Sequence, residues 1–249
     1  MCVDRNAISM LRCFCSQLNG SKKVTLNGSE SHHLISVLRA NKGTEVELID
    51  GCGTVARGHV ENFDKSAAQI AIETIRRESK HFHLSLIQAV LTNSNTEFIL
   101  REACAIGVSK ICILQAERSE SKIRDKLDAK LAHWTKLLIE ACKQSGNSFL
   151  PELSFAKNVE TLSTDGSTAK LFGNISASAR YLIRELQPIN KPCDITIAIG
   201  PEGDFSDREK ENFSSKNFVG CRLSNNVLRS ETAAIYALSV IDNYMNSIC

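Results

Sequence analysis

Residues 197–210 read IAIGPEGDFSDREK, and this stretch decides the fold expected of the C-terminal part of the chain. Its apolar start is typical of a buried strand, and the charged segment at its end predicts a helix. Between them, the Gly-Pro-Glu-Gly turn combines a stiff proline with two glycines that let the backbone approach a ligand closely. Ser206 and Glu209 have the spacing of a capping box, which marks where the helix begins. Strand, binding turn and helix are therefore expected in succession.

The composition is that of an ordinary globular protein. The 249 residues suffice for one large domain or two modest ones, and 30 Lys and Arg against 28 Asp and Glu leave polyanion binding to local patches. The 10 cysteines are scattered, without a CxxC pair or a secretory signal, which favours reduced thiols in the cytoplasm. Cys13 and Cys15 lack further ligands at zinc spacing, so no metal site is expected. No apolar run could span a bilayer, so we expect a soluble protein.

The N-terminal third of the chain predicts a small β-barrel. Residues 1–9 show no periodicity and are expected to be a disordered extension. From Met10 onward, short strand-like runs alternate with Gly, Asn and Asp turns. A helix expected to begin at Ser29 or Ser31 and to end at Gly43 interrupts them. The strand-like runs are RCFCSQL, KVTLNG, VELIDG, TVARGHVENF and QIAIETI.

The pattern changes after the charged run at residues 76–80, which suggests a domain boundary near residue 78. Strands that are apolar on both faces then alternate with helical segments, as in HLSLIQAVL followed by TEFILREACAIGV. KICILQAE, DITIAIG and ETAAIYALSVIDNYM continue the alternation. This pattern predicts an α/β domain whose mainly parallel sheet is covered on both sides. The expected organisation is a barrel over residues 10–77 and an α/β domain over residues 78–249.

Two polar turns near the C-terminus predict a ligand site. They are GPEGD at 200–204 and LSNNVLRSETAA at 223–234, where Ser230 is expected to cap the following helix. The common nucleotide signatures GxGxxG and GxxxxGK[ST] are absent. Each turn alone is equally consistent with a plain strand-to-helix connection. Together they follow strands of a parallel sheet and open at one edge, where such sheets bind ligands.

The segments IGPEG and LSNNVLRSETAA resemble the C-terminal signature of the SPOUT methyltransferases, specifically the RsmE-type family that methylates N3 of a uridine in small-subunit (16S) ribosomal RNA. LRCFC, HHLISVLRANKGTEVELIDGCG and EACKQSGNSFLP resemble further segments of that family, in order, from Met10 to the end of the chain. The resemblance implies a PUA-like RNA-binding barrel and a trefoil-knotted α/β domain. It also implies S-adenosyl-L-methionine as cofactor, and a cytoplasmic homodimer acting on small-subunit ribosomal RNA or the assembled 30S subunit.

By position, the resemblance implies that the two turns line the cofactor. Adenine binding requires main-chain donors and acceptors beside an apolar slot, which close-approaching glycines and aliphatic side chains supply. The residues expected to contact the adenine and methionine parts are Ile199, Gly200, Pro201, Glu202, Gly203, Leu223, Ser224, Val227 and Leu228.

Methyl transfer to uridine N3 requires alignment, a proton acceptor and a group that stabilises charge on O2 and O4. Arg229 is the candidate for the cationic role, and Glu231 or Glu202 for positioning or base catalysis. Two structural alternatives stay open. Arg229 could pair with either carboxylate, and Glu231 could serve only the N-terminus of its helix.

In the barrel, Arg12, His33 and Arg39 match positions that the family turns toward RNA, although the charge of Arg39 also suits the end of a short helix. The chain departs from the family elsewhere. Four positions where the family carries cations hold Thr92, Asn95, Glu102 and Asn147, and basic residues such as Lys122, Arg124 and Lys126 are candidates to replace them.

Asp204 and Ser224 stand where the family has glycine, and they are compatible with the fold only if neither needs a positive φ. Two other functions therefore stay open. One is a non-catalytic RNA-binding or ribosome-assembly factor on the same fold, and the other is a SPOUT methyltransferase with a different RNA acceptor, such as a ribose hydroxyl.

Overall fold

The computed structural model describes most of the chain, namely residues 10–18, 20–26, 28–64, 67–123, 125–163 and 166–249. The expected N-terminal extension at 1–9 and the side chain of Arg124 lie outside the described residues. The described chain forms two compact units. The first contains the residues up to Ser79 together with Ile139–Leu150, and the second contains Lys80–Leu138 and Pro151–Cys249. A single boundary near residue 78 does not anticipate that residues 139–150 belong with the first unit.

The first unit is built on a five-stranded sheet in the order β1-β3-β4-β5-β2. β1 pairs with β3 in parallel, and the remaining pairs are antiparallel. The strands are β1 Leu11–Phe14, β2 Lys23–Leu26, β3 Glu45–Ile49, β4 Thr54–Asp64 and β5 Ala67–Arg77, and the helix α1 is Gly28–His32. All five strand-like runs predicted from the sequence are therefore confirmed as strands.

The helix of the first unit ends earlier than expected. α1 continues into a π-helical turn at His33–Val37, not into a helix that reaches Gly43. The amide of Leu38 donates to the His33 carbonyl at 2.9 Å and closes the turn. Arg39 then adopts a left-handed backbone with φ of 51°, which a continuing helix does not allow. The helix stops here because of this backbone geometry, which side-chain periodicity does not report.

Alternating side chains of the sheet form the core of the first unit. Cys13, Val46, Leu48 and Ile70 are fully buried, as the period of two along each strand requires. Gly58 lies at an irregularity in the pairing of β4 with β5, and a Cβ there would come within 2.0 Å of the Ala71 carbonyl oxygen. Glycine is therefore required where β4 bends.

Ion pairs and backbone hydrogen bonds hold residues 139–150 in the first unit. The Lys143 ammonium lies 2.9 Å from a Glu30 carboxylate oxygen and 2.7 Å from one of Glu140. The amide of Gly53 donates to the Ser148 carbonyl at 3.0 Å. Because Lys143 is 7% exposed, its charge is held by its partners and not by water.

The second unit is built on a seven-stranded, fully parallel sheet in the order β10-β12-β9-β11-β6-β7-β8. Its strands are β6 Leu84–Ala89, β7 Lys110–Leu114, β8 Glu152–Ala156, β9 Ala169–Gly173, β10 Arg180–Tyr181, β11 Ile195–Ile199 and β12 Val219–Arg222. The remaining helices of the chain are α2 Asn93–Ile106, α3 Leu127–Ser145, α4 Leu182–Leu186, α5 Asp207–Ser215 and α6 Ser230–Ser247. The expected parallel α/β architecture is confirmed.

Both faces of this sheet are covered. Every residue of the central strands β6 and β11 is buried, which explains why these strands are apolar on both faces. Ala198 packs with Phe205 and Phe213 on one side, while α6 packs against β6 and β11. Phe205 and Phe213 lie 4.8 Å apart between ring centroids. This aromatic cluster anchors the chain that leaves β11 and begins α5.

Three further observations concern the part of the chain that the structure describes. None of its helices has the length and apolar character needed to cross a membrane. Within the same residues, His, Cys, Asp and Glu side chains nowhere gather in a group of three that could hold a metal ion. Burial raises the pKa of the Cys13 thiol and of the Cys221 thiol to about 12. Both thiols are therefore protonated near neutral pH.

Candidate functional site

The turns that follow β11 and β12 converge on one crevice. β12, β9 and β11 are parallel neighbours, so the turns after their carboxyl ends meet at the same edge of the sheet. The crevice has a volume of about 720 Å³, including the part open to solvent. The expected convergence of the two turns is therefore confirmed. Ser230 and Ala233 at the start of α6 complete the crevice.

Most residues predicted to bind the cofactor line this crevice. Those present are Ile199, Gly200, Pro201, Glu202, Leu223, Ser224, Val227 and Leu228. Gly203 is not among the lining residues. Its carbonyl instead accepts a hydrogen bond from Arg118 at 3.1 Å, and a Cβ at Gly203 would lie 3.4 Å from the Arg118 Cβ. Arg118 thus packs against this turn.

Sequence reasoning missed a third segment of the crevice, which consists of Gly173, Asn174 and Ile175. Gly173 ends β9, and Asn174 and Ile175 follow it. This strand was not predicted because its sequence, AKLFG, has too few apolar residues to show alternation or a continuous apolar run. The available signal was a short apolar run, LF, followed by Gly-Asn. The Asn174 amide donates to the Cys221 carbonyl at 2.8 Å, so β12 holds this segment in place.

The Gly-Pro-Glu-Gly turn contains a left-handed residue. Asp204 has φ of 58°, so the condition stated above, that aspartate fits here only without a positive φ, is wrong. The Asp204 side chain offsets the cost of the left-handed backbone, because one of its carboxylate oxygens accepts a hydrogen bond from the Phe205 amide at 2.8 Å. Aspartate also tolerates this region better than most residues do. Ser224 is not among the described residues with positive φ, so the condition holds there.

Ser230 does not cap α6 with its side chain, in contrast to the expectation. The N-cap is Arg229, which makes no side-chain capping bond. The Ser230 hydroxyl instead donates to the Gly200 carbonyl at 2.5 Å and accepts from the Gln88 Nε2 at 3.0 Å. The hydroxyl therefore joins the start of α6 to the turn after β11 and to the end of β6.

The turn after β12 is held by an arginine and a tyrosine. Arg222 donates to the carbonyls of Ser224 at 3.0 Å and of Asn225 at 3.3 Å. Its guanidinium lies 5.6 Å from the centroid of the Tyr181 ring, a distance that permits a cation–π contact. The Tyr181 hydroxyl donates to the side-chain oxygen of Asn225. These contacts fix the wall of the crevice between residues 222 and 226.

The three predicted catalytic residues occupy different positions. Glu202 lines the crevice and is exposed. Arg229 is exposed and lies between two lining residues, while Glu231 is half-buried in the first turn of α6. Neither Arg229 nor Glu231 lines the crevice. Among the described residues Arg229 forms no ion pair with either carboxylate, so the guanidinium is not neutralised by them. The position of Glu231 suits the helix dipole.

The residues predicted to contact RNA lie in the first unit. Arg12 is bound to Glu47 at 2.8 Å with a side chain that is 15% exposed, so its charge is engaged inside the barrel. Burial alone would raise the pKa of Glu47, but hydrogen bonds from Arg12 and Arg57 lower it below the ordinary value. Arg39 is exposed and His33 is half-buried, whereas the neighbouring His32 is exposed.

Two of the four positions that lack the expected cations, Thr92 and Asn147, have structural roles in this chain. The Thr92 side chain caps α2 by accepting from the Asn95 amide, and Asn147 accepts from the Phe149 amide at 3.0 Å in the turn after α3. A cation nevertheless lies near the start of α2, because the Lys130 ammonium donates to the Asn93 side chain at 2.9 Å. Lys130 is thus a further basic residue in this region, additional to those named from the sequence.

With this geometry, the chain can be compared with known proteins. An RNA methyltransferase domain model matches residues 77–242, and an RNA methyltransferase PUA domain model matches residues 26–73. The chain therefore belongs to the RNA methyltransferase family. It is 30% identical over 84% of its length to ribosomal RNA small subunit methyltransferase E 2 of Borreliella burgdorferi, of which the match covers 86%. The expected RsmE-type family is confirmed.

Solved structures share the same fold. A Legionella pneumophila protein in complex with its bound cofactor SAM is 27% identical and superposes with a TM-score of 0.83 over 95% of this chain and 98% of that one. A ribosomal RNA small subunit methyltransferase E from Neisseria gonorrhoeae, bound to S-adenosyl methionine, is 24% identical. Its TM-score is 0.82 over 94% of this chain and 97% of that chain. The second likeness supports the fold alone.

Proposed function

We propose that this protein transfers a methyl group from S-adenosylmethionine to N3 of a uridine in small-subunit ribosomal RNA. The observation that carries the proposal is the convergence of the turns after β11 and β12 on one crevice in a member of the RNA methyltransferase family. The expected enzyme class and cofactor are confirmed by relatives that are ribosomal RNA methyltransferases and by a related structure with bound SAM.

The residues of the crevice fit this cofactor. Aliphatic side chains of Ile199, Val227 and Leu228 offer an apolar surface for adenine, and the backbone of the turns offers hydrogen-bonding groups. Gly200 keeps the turn compact, since a Cβ there would lie 3.1 Å from the Phe205 backbone nitrogen. The cofactor supplies an activated methyl group. The lining residues of the crevice would hold the cofactor.

The uridine is activated for methyl transfer by stabilisation of the negative charge on its oxygens and by alignment of N3. Arg229 is exposed and stands in the chain between the lining residues Leu228 and Ser230, and we assign to it the stabilisation of negative charge on O2 and O4 of the uridine. Two carboxylates line the crevice, and one of them, Asp204, is paired with Lys210. We assign to the other, Glu202, the positioning of the uridine base or acceptance of the N3 proton. Glu231 supports the N-terminus of α6.

We also propose the finer organisation that the family resemblance implies. Residues 10–77 act as a PUA-like RNA-binding barrel, to which Arg39 and His33 contribute, and residues 78–249 form a trefoil-knotted methyltransferase domain. The active form is a homodimer in the cytoplasm. Support for the dimer comes from two aliphatic side chains of the crevice, because Val227 is 82% exposed and Ile175 is 62% exposed and a second chain would cover them.

The test is methylation of ribosomal RNA with isotopically labelled S-adenosylmethionine, followed by mass spectrometry of the nucleosides. Free small-subunit RNA and assembled 30S subunits are tested in parallel, which decides between the two substrates. We expect 3-methyluridine in one of them. A methylated ribose would indicate a different acceptor. Binding of RNA with no binding of S-adenosylmethionine, measured by calorimetry on folded protein, would instead indicate a non-catalytic RNA-binding factor.

A further inference from the structure

A buried chain of hydrogen bonds runs from the end of β6 to the crevice. Gln88 is fully buried, and its Nε2 donates to the Ser230 hydroxyl at 3.0 Å and to the Ala89 carbonyl at 3.1 Å. The Ser230 hydroxyl in turn donates to the Gly200 carbonyl at 2.5 Å. Gly200 and Ser230 line the crevice, whereas Gln88 does not.

The direction of these bonds is set by chemistry. The Gly200 carbonyl is only an acceptor, so the Ser230 hydroxyl must donate its single proton to it. The hydroxyl oxygen can then only accept from Gln88, which fixes the amide group with its nitrogen toward Ser230. Gln88 and Ser230 are 142 positions apart in the sequence, and Ser230 and Gly200 are 30 positions apart. One chain of hydrogen bonds joins all three.

Stability alone does not explain a glutamine at position 88. Its Oε1 is buried without a hydrogen-bond partner among the described residues, and an unsatisfied buried acceptor costs free energy that an apolar side chain of the same size would avoid. β6 is otherwise apolar apart from Ser85. Gln88 therefore lowers the stability of the fold, and its hydrogen bond to Ser230 connects it to the crevice. This combination points to a role in function.

We propose that Gln88 is a positioning residue that sets the shape of the cofactor crevice by holding the Ser230 hydroxyl on the Gly200 carbonyl. Gln88 does not contact the cofactor itself. It acts through Ser230, which ties the first turn of α6 to the turn after β11. This inference rests on the proposed function, because it assigns the crevice to S-adenosylmethionine.

The test measures S-adenosylmethionine affinity by calorimetry and thermal stability by differential scanning on the full chain. Gln88→Met keeps the volume but removes the donor, and Ser230→Ala removes the hydroxyl. Each is expected to weaken binding by about tenfold, the effect of losing one buried hydrogen bond at the site. KM for the cofactor rises, while KM for RNA is unchanged. Ser230→Thr keeps a hydroxyl and recovers most of the affinity that Ser230→Ala loses.

A double variant and a matched control separate positioning from structure. The double variant Gln88→Met with Ser230→Ala is expected to bind S-adenosylmethionine no more weakly than whichever single variant has the lower affinity. The two effects do not add, because both residues act through the same chain of hydrogen bonds. Thr196→Val is the control. It removes a buried hydroxyl on β11 that bonds the Ser167 hydroxyl at 2.7 Å, and it is expected to leave the affinity for S-adenosylmethionine unchanged.

The outcomes are distinguishable. Unaltered affinity in Gln88→Met and Ser230→Ala, whatever the change in melting temperature, would overturn the positioning role. If the wild-type chain itself binds no S-adenosylmethionine, the proposed function fails before this inference is reached. If Gln88→Met does not fold, the comparison of Ser230→Ala with Ser230→Thr still decides whether the hydroxyl shapes the crevice.

Discussion

The Lys210 ammonium lies 2.7 Å from the carboxylate of Asp204, and this contact ties the left-handed end of the Gly-Pro-Glu-Gly turn to α5. The same carboxylate accepts from the Phe205 amide. The Asp204 amide donates to the Pro201 carbonyl at 3.0 Å and closes the turn. One side chain therefore holds a crevice turn against the helix that follows it.

Substitution of Asp204 tests this arrangement. Asp204→Ala keeps a Cβ at φ of 58° and loses both side-chain contacts, so we expect it to lower the free energy of unfolding by about 2 kcal/mol. Asp204→Gly loses the same contacts but relieves the left-handed strain, and is expected to cost less by about 1 kcal/mol. Chemical denaturation measures both values. An alanine variant as stable as the glycine variant would contradict the strain argument.

Arg229→Ala tests the cationic role in methyl transfer. We expect the fold to be unchanged, because the side chain is exposed and makes no capping bond. Turnover is expected to fall by roughly tenfold or more, on the order of 1.4 kcal/mol of barrier. Arg208→Ala removes another exposed arginine, on α5, and serves as the control. Unchanged turnover in Arg229→Ala would remove this residue from the mechanism.

Tyr181→Phe tests how the wall of the crevice is held. The variant keeps the aromatic ring beside Arg222 but loses the hydrogen bond to Asn225. The turn should become less ordered, and S-adenosylmethionine affinity is expected to fall about fivefold, which corresponds to about 1 kcal/mol. Tyr244→Phe removes a hydroxyl that bonds the Ile189 carbonyl at 3.0 Å and should leave affinity unchanged. Equal affinities in calorimetry for both variants would contradict the expectation.

The pH dependence of stability tests the buried carboxylate of Glu47. The folded state lowers the pKa of Glu47 below its ordinary value of 4.5, so its stabilisation is fully present above that value and is lost as pH falls through the folded pKa. Glu47→Gln is expected to lower the free energy of unfolding by about 2 kcal/mol near neutral pH. The difference from wild type should shrink below pH 4.5. A difference that stays constant across denaturation curves at low pH would refute this account.

Lys130→Ala tests whether a lysine of α3 serves RNA binding near the start of α2. Phosphate contacts weaken with salt, so the variant should bind small-subunit RNA more weakly and show a slope of log affinity against log salt that is smaller by about 1. Lys136 is an exposed lysine on the same helix, and Lys136→Ala is the matched control. Identical salt slopes for wild type and Lys130→Ala would exclude a phosphate contact.

Local signals were sufficient for the elements with strong periodicity. The fully apolar runs at β6 and β11 and the capping box of Ser206 with Glu209 were predicted from spacing alone and are confirmed. β9 was missed because its sequence, AKLFG, has too few apolar residues to show alternation or a continuous apolar run. Its turn supplies Asn174 to the crevice, so the predicted site was incomplete at the strand that periodicity does not reveal.

The sequence by itself determined the parallel α/β class, the barrel strands, the family and the two turns, after β11 and β12, that converge on the crevice. Each of these depends on residue type at short spacing or on ordered motifs, which are written in the chain. Only the tertiary structure decided that Ser230 bonds Gly200 and Gln88 instead of capping α6, that Arg12 pairs with Glu47 and that Asp204 is left-handed. Hydrogen-bond partners distant in sequence and backbone dihedral angles depend on how strands pair and pack, and local composition does not encode that pairing.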